Sequence, residues 1–357
     1  MEYLLLQEIP VVDLGLHLSR NLDDNLNNNI YIEECKKASS SLHQFGCVLV
    51  KDCRVSEEDN NLFLDMMEDY FSESDGITDA RPDLHYQVGV TPAHIELPRN
   101  HCERIGAYGP ENKPLSPCPP ELDPKWRFFW RIGPTPIATQ FPSQNAPPVI
   151  PLHIPHWSHV MDMWGNKMLS SLLSLSEMVA IGFSLPIQSF TSLMSVGPHL
   201  LAPTGSDLSG PFGVLGTVLA GYHYDLNFLT IHGKARFPGL FIWTRDGRKL
   251  PVSVPSGCLL VQAGKQMEYL TGGHVKAGFH EVVVSEQTVD IIKEREKTKK
   301  SLWRVSSTCF SHINSDSSLS PLAHFKTEET EREYPEILAG NQVQEELKAI
   351  SLDKIST

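Results

Sequence analysis

The fold of this chain is decided by two segments, GYHYDLNFLTIHGKARFPGLFIW at residues 221–243 and VSVPSGCLLVQAGKQMEYLTGGHVKAGFH at residues 252–280. Tyr, Phe, Leu, Thr and Ile are frequent in the first segment, which is typical of a β-strand. His223 and Asp225 lie two residues apart in it. On a strand this spacing points both side chains to the same face, so an imidazole and a carboxylate converge on one point.

A third possible ligand follows in the second segment. His280 is followed by an apolar run with three valines, which favours a strand that can point the imidazole inward. His274 is the alternative, but it lies in a Thr-Gly-Gly turn, and turn residues usually face solvent. His232 is expected at the surface or at a strand end. Two histidines and one carboxylate on one side of a metal form the facial triad of non-haem Fe(II) oxygenases. The sequence therefore predicts a metal site formed by His223, Asp225 and His280.

The two segments also resemble the motifs of a known enzyme family. The run HYDLNFLTI at 223–231 and the run QAGKQMEYLTGGHVKAGFH at 262–280 resemble the isopenicillin N synthase-like family of 2-oxoglutarate and Fe(II)-dependent dioxygenases. The second run matches the family pattern without a gap at Gly264, Gln266, Met267, Glu268, Leu270, Thr271, Gly273 and His280. The resemblance implies a double-stranded β-helix (jelly-roll) core, Fe(II) as the metal, and 2-oxoglutarate and O2 as cosubstrates.

A further part of the family pattern lies downstream, in SLWRVSSTCF at 301–310. Arg304 and Ser306 share one strand face by the same period of two. A guanidinium offers a rigid fork of donors to a carboxylate, and a serine hydroxyl adds one donor beside it. The pair resembles the family's Arg-x-Ser motif, which implies that it holds the distal carboxylate of 2-oxoglutarate. The alternative is a strand arginine in an ordinary surface ion pair.

The chain departs from the family pattern in two places. A charged segment at 286–300 lengthens the distance from His280 to Arg304, and its composition predicts an exposed loop or short helix. Many relatives also carry a tyrosine that contacts the cosubstrate, in an Asn-x-Tyr-Pro segment before the His-x-Asp strand. Here the equivalent region reads HLLAPTG at 199–205 and has no tyrosine. Two alternatives follow, namely that cosubstrate binding is rearranged or that another donor, such as Tyr222 or Tyr224, contributes, and strand alternation does not decide between these two tyrosines.

An aromatic and basic strand, KWRFFWR at 125–131, is the remaining candidate for the substrate pocket. Alternation places its aromatic side chains on one face and Arg127 and Arg131 on the other. Arg127, Trp130 and Arg131 are the candidates to border a pocket for an acidic or planar substrate. Simple packing against the core is the alternative, because large aromatic side chains are commonly buried.

Three histidines in HIPHWSH at 153–159 suggest a second metal cluster. Pro155 prevents a regular helix across the first two, and no carboxylate or thiolate accompanies them before Asp162. We therefore interpret this segment as the polar start of a helix.

Composition limits the class of protein. The chain has 357 residues with 30 basic and 43 acidic ones, and its net charge of −13 argues against a general nucleic-acid or anionic-membrane binder. Its seven cysteines form no CxxC pair or disulfide-like framework, which is typical of a reducing compartment. No signal peptide and no apolar stretch near the ~20 residues of a membrane span are recognisable. The predicted location is the cytoplasm, and the oligomeric state is left open.

Periodicity divides the chain into four parts. An N-terminal αβ region at 1–150 contains a loop at 21–29, a helix at 33–45 and a second helix from a capping box at Ser56 and Asp59. A long helix at 157–183, within 151–194, is expected to cover the sheet that bears the metal. The jelly-roll core occupies 195–312, and a loop and helix follow at 313–357. The predicted fold class is mainly β with flanking helices.

The resulting functional hypothesis is an Fe(II)- and 2-oxoglutarate-dependent dioxygenase acting on a small organic substrate, most simply by hydroxylation. Two alternatives remain. An Fe(II) oxidase of the same fold can act without 2-oxoglutarate, and the missing tyrosine makes this option relevant. A non-catalytic jelly-roll binding module is the other alternative. The identity of the substrate is not readable from the sequence, because pocket specificity comes from loops.

Overall fold

The structure is a computed structural model that describes residues 9–19 and 29–350. The loop expected at 21–29 lies outside the described residues except for Asn29, which begins a helix. In the described residues the α-helices are α1 (Gly15–Leu18), α2 (Asn29–Phe45), α3 (Glu57–Glu73), α4 (Cys102–Gly106), α5 (Trp157–Gly182), α6 (Thr191–Met194), α7 (Lys265–Leu270), α8 (Glu286–Lys297), α9 (Glu328–Glu333) and α10 (Ala339–Ala349). The strands are β1 (Val11–Asp13), β2 (Cys47–Lys51), β3 (Gly89–Thr91), β4 (Trp126–Ile132), β5 (His199–Leu201), β6 (Thr204–Asp207), β7 (Val218–His223), β8 (Leu229–His232), β9 (Leu240–Trp243), β10 (Lys249–Pro251), β11 (Cys258–Ala263), β12 (Phe279–Val283), β13 (Trp303–Ser306), β14 (Thr308–Ser311), β15 (Ser318–Leu319) and β16 (Ile337–Leu338).

Two sheets form the centre of the molecule. The larger has the order β1-β2-β11-β8-β14-β5-β4-β6-β13, with β3 paired to β4, and the smaller has the order β10-β9-β12-β7. Residues of both sheets line one cavity between them. This arrangement confirms the predicted jelly-roll core. The larger sheet also takes β1 to β4 from the region before residue 150, so strands from both sides of that predicted boundary share one sheet.

The long helix α5 packs against the larger sheet. Trp157 and Trp164 are fully buried on its inner side, and Trp164 Nε1 donates to Ser307 Oγ at 2.6 Å. Its contacts are with β4, β5, β8 and β14, whereas the two imidazoles of the triad lie on the smaller sheet. The prediction that this helix covers the metal-bearing sheet is therefore wrong. The apolar face of the helix revealed its burial but not its partner.

The helices of the N-terminal region follow the local signals closely. Ser56 and Asp59 form the expected capping box at the start of α3, each side chain bonding the other's backbone N–H. In the charged segment at 286–300, α8 is a short helix begun by a second capping box at Ser285 and Thr288. This helix packs Ile292 into a small apolar cluster, so the insertion leaves the strands on either side intact.

One cysteine prediction is wrong. Cys102 and Cys118 form a disulfide with Cα atoms 5.5 Å apart, although sequence spacing gave no sign of a bonded pair. The bridge joins α4 to the irregular segment that follows it. Among the described residues, no helix combines the length and the apolar character that crossing a membrane requires.

Candidate metal and cosubstrate site

The predicted triad converges at one end of the smaller sheet. His223 is the last residue of β7, and it is the cross-strand partner of His280 on the antiparallel strand β12. Asp225 follows β7 after one residue, and the main chain there turns away from the sheet toward Leu229 and β8. Pairing of two strands and one short turn therefore bring together residues that are 57 positions apart in the chain, from 223 to 280.

The ligand atoms of the triad lie close enough to share one ion. Nε2 of His223 is 3.8 Å from Asp225 Oδ1, and Nε2 of His280 is 3.9 Å from the same oxygen. One ligand atom from each residue lies within 4.8 Å of the others, and in the described part of the chain this is the one such group of three His, Cys, Asp or Glu residues. The histidines at 153–159 form no such group.

Hydrogen bonds orient each ligand. Nδ1 of His223 lies 2.6 Å from the carbonyl oxygen of Gly221, and Nδ1 of His280 lies 3.3 Å from that of Gly278. A carbonyl accepts only, so each Nδ1 carries the proton and each Nε2 keeps its lone pair for a metal. Thr230 Oγ1 donates to Asp225 Oδ2 at 2.6 Å, which leaves Oδ1 directed toward the imidazoles. The donor set therefore fits a divalent cation.

The protonation states suit metal binding. Burial, together with the neighbouring imidazole of His280, holds the pKa of His223 well below its ordinary value. Burial alone would raise the pKa of Asp225, but the two imidazoles and the Thr230 hydroxyl keep it below its ordinary value. At neutral pH the site offers a neutral His223 and an ionised carboxylate, the forms that bind a metal cation.

Arg304 lies in the same cavity as the triad, on β13 of the larger sheet. Its side chain is buried, and its Nε donates to the carbonyl oxygen of Pro238 at 3.2 Å. No carboxylate of the described residues lies within 4.0 Å of its guanidinium. Burial lowers the pKa of Arg304 to about 10, so the side chain remains a cation at neutral pH. A buried cation without an anionic partner is costly, and a bound carboxylate would remove that cost.

Ser306 lines the cavity on the same face of β13 as Arg304. Its hydroxyl lies 3.0 Å from Thr308 Oγ1, which in turn lies 3.1 Å from His232 Nδ1. His232 is the last residue of β8, as expected for a strand-end histidine, but it is 8% exposed and lines the cavity, so the alternative of a surface position is wrong. It shares the inner face of β8 with Thr230, and the period of two was the signal that could have placed it.

Another part of the cavity wall, at β4 two strands away from β13 in the same sheet, carries charged residues that are already paired. Lys125 Nζ contacts Asp123 and lies 3.0 Å from Glu96 Oε2, and Arg127 pairs with the same Glu96 oxygen. Burial alone would lower the pKa of Lys125, but Asp123 and Glu96 raise it on balance. The other oxygen of Glu96, Oε1, is buried and has no hydrogen-bond partner. The sequence analysis did not identify Glu96. Asp123, Lys125 and Arg127 alternate along the chain, and this alternation could have indicated that Asp123 and Lys125 share a face with Arg127.

Two of the three predicted pocket residues lie elsewhere. Arg127 lines the cavity, but Trp130 is on the opposite face of β4, where its Nε1 donates to Asp162 at 2.8 Å. Strand alternation is the reason, because 127 and 130 differ by an odd number. Arg131 is not part of the lining, since its guanidinium donates to the carbonyl of Ile132, the last residue of the strand, and to that of Pro134 beyond it.

Neither proposed substitute for the missing tyrosine is available. Tyr222 is buried in an aromatic cluster, with its hydroxyl 2.9 Å from that of Tyr108. Tyr224 lines the cavity, but its hydroxyl donates to Glu346 of α10 at 3.1 Å. Glu346 also pairs with Arg99 at 2.7 Å, so the C-terminal helix closes one side of the cavity. The alternative ligand His274 is exposed and stacks on His43, away from the triad.

One family model and one curated relative match part of the chain. Residues 205–313 match the family model described as the 2OG-Fe(II) oxygenase superfamily. The alpha-ketoglutarate dependent kainoid synthase of Digenea simplex is 37% identical over 70 residues, which are 18% of this chain and 19% of that protein. The match thus spans about a fifth of the length of that curated relative.

Solved structures share the fold over nearly the whole chain. A 2OG-Fe(II) oxygenase family protein from Caulobacter crescentus has 20% identity and a TM-score of 0.71, covering 96% of this chain and 99% of that chain. A Neurospora crassa protein, solved in complex with alpha-KG and thymine, has 17% identity and a TM-score of 0.73, covering 96% of each chain. At these identities the likeness shows the fold alone. Fe(II), 2-oxoglutarate and O2, the cofactors expected from the sequence, are those of the matched superfamily. Residues 205–313 are thus similar to the 2OG-Fe(II) oxygenase superfamily, and the narrower isopenicillin N synthase-like assignment stays a prediction.

Proposed function

We propose that this chain is an Fe(II)- and 2-oxoglutarate-dependent dioxygenase that oxidises a small organic molecule, most simply by hydroxylation, with release of succinate and CO2. The observation that carries the proposal is the content of a single cavity of about 1360 Å³, including its open mouth. It holds both a His, Asp, His donor set with free Nε2 atoms and a buried guanidinium without a carboxylate partner. A metal and a dicarboxylate satisfy both features together.

The proposed roles of the residues follow from this geometry. His223, Asp225 and His280 would hold Fe(II) through three positions on one side, which leaves the other side open. Arg304 and Ser306 would hold the distal carboxylate of 2-oxoglutarate and so orient its keto-acid end toward the metal. The metal and cosubstrate supply the oxidising chemistry. The protein supplies alignment, and its apolar lining, with Phe129, Leu200 and Phe310, excludes water.

The paired wall points to a polar substrate without large net charge. The three cations Arg99, Lys125 and Arg127 are balanced by Glu96, Asp123 and Glu346. A strongly acidic or basic substrate would have to displace one of these pairs. The buried, unpartnered Glu96 Oε1 favours a substrate that presents an N–H or O–H to this wall.

Replacement of one proposed metal ligand tests the assignment. His223→Ala should lose Fe(II) binding and the O2-dependent conversion of 2-oxoglutarate to succinate, because two ligands hold the metal poorly. His274→Ala is the matched control, since that histidine is exposed and outside the cavity. Metal content and succinate are measured on the same samples. Wild-type turnover in a His223→Ala protein of verified metal content would refute the role of this residue.

The two alternative functions are separated by the same assay. An Fe(II) oxidase of this fold would consume O2 with its substrate and form no succinate. Arg304 weighs against it, because nothing but an anionic ligand would neutralise this buried cation. A binding module would bind the metal without O2 consumption under any cosubstrate condition.

The cytoplasmic location also stays a prediction. Disulfides rarely persist in reducing compartments, so the Cys102–Cys118 bridge gives a direct test. Alkylation of free thiols in freshly lysed cells, followed by mass spectrometry, should find both cysteines alkylated if the location is cytoplasmic.

A further inference from the structure

Four polar side chains form a continuous hydrogen-bonded path across the inner face of the larger sheet. Gln262 Oε1 lies 2.9 Å from His232 Nε2, His232 Nδ1 lies 3.1 Å from Thr308 Oγ1, and Thr308 Oγ1 lies 3.0 Å from Ser306 Oγ. Cross-strand pairing holds the path in register, because His232 on β8 is the direct partner of Thr308 on β14. The path ends at the serine that faces the cavity beside Arg304.

The imidazole in the middle of the path is buried between an amide and a hydroxyl. A neutral ring in this position has one N–H donor and one acceptor nitrogen. The hydroxyls of Thr308 and Ser306 each have a single proton to donate. Consequently the hydrogen bonds of the path can donate in only two directions, either all toward Gln262 or all toward Ser306. Whether Gln262 donates or accepts therefore determines whether the Ser306 proton is free.

Only one direction suits an anion at Ser306. If His232 Nε2 donates to Gln262, then Thr308 donates to His232, Ser306 donates to Thr308, and the serine presents lone pairs to the incoming carboxylate. If the Gln262 amide is turned over, its Nε2 donates to His232, Nδ1 donates to Thr308, and Thr308 donates to Ser306. The serine proton is then free for the carboxylate. With Oε1 toward His232, the Gln262 Nε2 group is buried without a partner, and turning the amide gives this N–H group an acceptor.

We propose that His232 and Thr308 are positioning residues for the distal carboxylate of 2-oxoglutarate, acting through Ser306, and that they replace the tyrosine missing from 199–205. This inference rests on the proposed function. It assigns Thr308 to orient the serine hydroxyl and His232 to orient Thr308. Tyr222 and Tyr224 cannot do this, because their hydroxyls are engaged elsewhere.

Isosteric variants of Thr308 test the path by a binding measurement. Anaerobic calorimetry on Fe(II)-loaded protein measures the Kd for 2-oxoglutarate and, separately, for oxalate, which chelates the metal but has no distal carboxylate. Thr308→Val removes the neutral hydrogen bond that orients Ser306 and should weaken 2-oxoglutarate binding about fivefold, the effect of one such bond. It should leave the oxalate Kd within about twofold, because the metal end is untouched. Thr308→Ser keeps the hydroxyl and should restore the wild-type Kd.

His232→Leu tests the order of the path. It should weaken 2-oxoglutarate binding in the same direction, and the double variant with Thr308→Val should bind no more weakly than Thr308→Val alone, since His232 acts through Thr308. In turnover, the KM for 2-oxoglutarate should rise while kcat is kept. Thermal unfolding of the metal-free proteins identifies any variant that fails to fold, and the conclusion then rests on the Thr308 pair.

The outcomes separate this inference from the proposed function. Wild-type protein that fails to bind 2-oxoglutarate refutes both. Wild-type protein that binds it, with a Thr308→Val variant that binds equally well, refutes the path alone. Equal loss of 2-oxoglutarate and oxalate binding would reveal general damage to the cavity and would also refute the path.

Discussion

Two groups of cations line the cavity, and they differ in how their charge is satisfied. Lys125 and Arg127 form a paired cluster with the buried carboxylates of Asp123 and Glu96. Arg304 is buried but has only a carbonyl oxygen as a partner. Cations that the protein itself neutralises gain little from an anionic ligand, whereas a buried cation without a carboxylate partner is costly, and an anionic ligand would offset that cost. This difference is the reason for proposing that Arg304 binds an anion and that the paired cluster faces a neutral polar group.

The largest loss of stability is expected when the paired cluster loses one of its cations. Lys125→Met leaves Asp123 buried without its cation and should lower the free energy of unfolding by about 3–5 kcal/mol. Urea denaturation of the metal-free protein measures this. Lys36→Met is the control, because Lys36 forms an exposed pair with Glu33 on α2 and should cost at most about 1 kcal/mol. If both variants lowered the free energy of unfolding equally little, Lys125 and its partners would not form a buried charge cluster.

Replacement of Arg304 should change the stability little and the binding of 2-oxoglutarate strongly. Arg304→Met removes a buried charge without leaving a carboxylate unpaired, so the free energy of unfolding should not fall by more than about 1 kcal/mol. Binding of 2-oxoglutarate should nevertheless weaken by about 10- to 100-fold, because charge-assisted hydrogen bonds are lost. Denaturation and calorimetry on the same preparation measure both. A loss of stability as large as that of Lys125→Met would show that the protein itself satisfies Arg304.

The smallest effect is expected for the pH dependence of stability, to which two buried histidines contribute. Burial lowers the pKa of His199 and of His312 to about 3. Between pH 6.5 and that value the unfolded chain binds protons that the folded chain does not, so stability is lost as the pH falls. Each such histidine contributes a slope of up to about 1.4 kcal/mol per pH unit. Urea midpoints at pH 7, 6 and 5 should show this slope, and His312→Gln should reduce it. An unchanged slope in that variant would contradict the assignment.

Local spacing was sufficient to predict most of the iron and cosubstrate candidates. Arg304 and Ser306 are a pair whose period of two fixes a common strand face before any tertiary structure is known. The same argument selected His223 and Asp225, but β7 ends at His223, and Asp225 reaches the site from the turn that follows. His280 followed from the apolar run after it. These predictions needed only the strand assignment, and the structure brings all five side chains to one cavity.

Other features depend on which elements meet, and the sequence does not encode this locally. Glu96 comes from an irregular, proline-rich segment without periodicity, so nothing indicated that it would face Arg127. The Cys102–Cys118 bridge joins two points of the same irregular region. The apolar face of α5 predicted that the helix is buried, but it did not indicate which of the two sheets the helix packs against. His232 is different, since its parity with Thr230 was available and was not used.

The placement of the triad and of Arg304 on different sheets has a consequence for chemical selectivity. Two histidines belong to the four-stranded sheet and the arginine to the ten-stranded sheet. The separation of the two sheets would therefore limit the length of a keto diacid that contacts the metal and Arg304 together. The five-carbon acid is the length that the proposed site should accept. Oxaloacetate, one carbon shorter, should fail to reach both ends at once, and 2-oxoadipate, one carbon longer, should have to buckle.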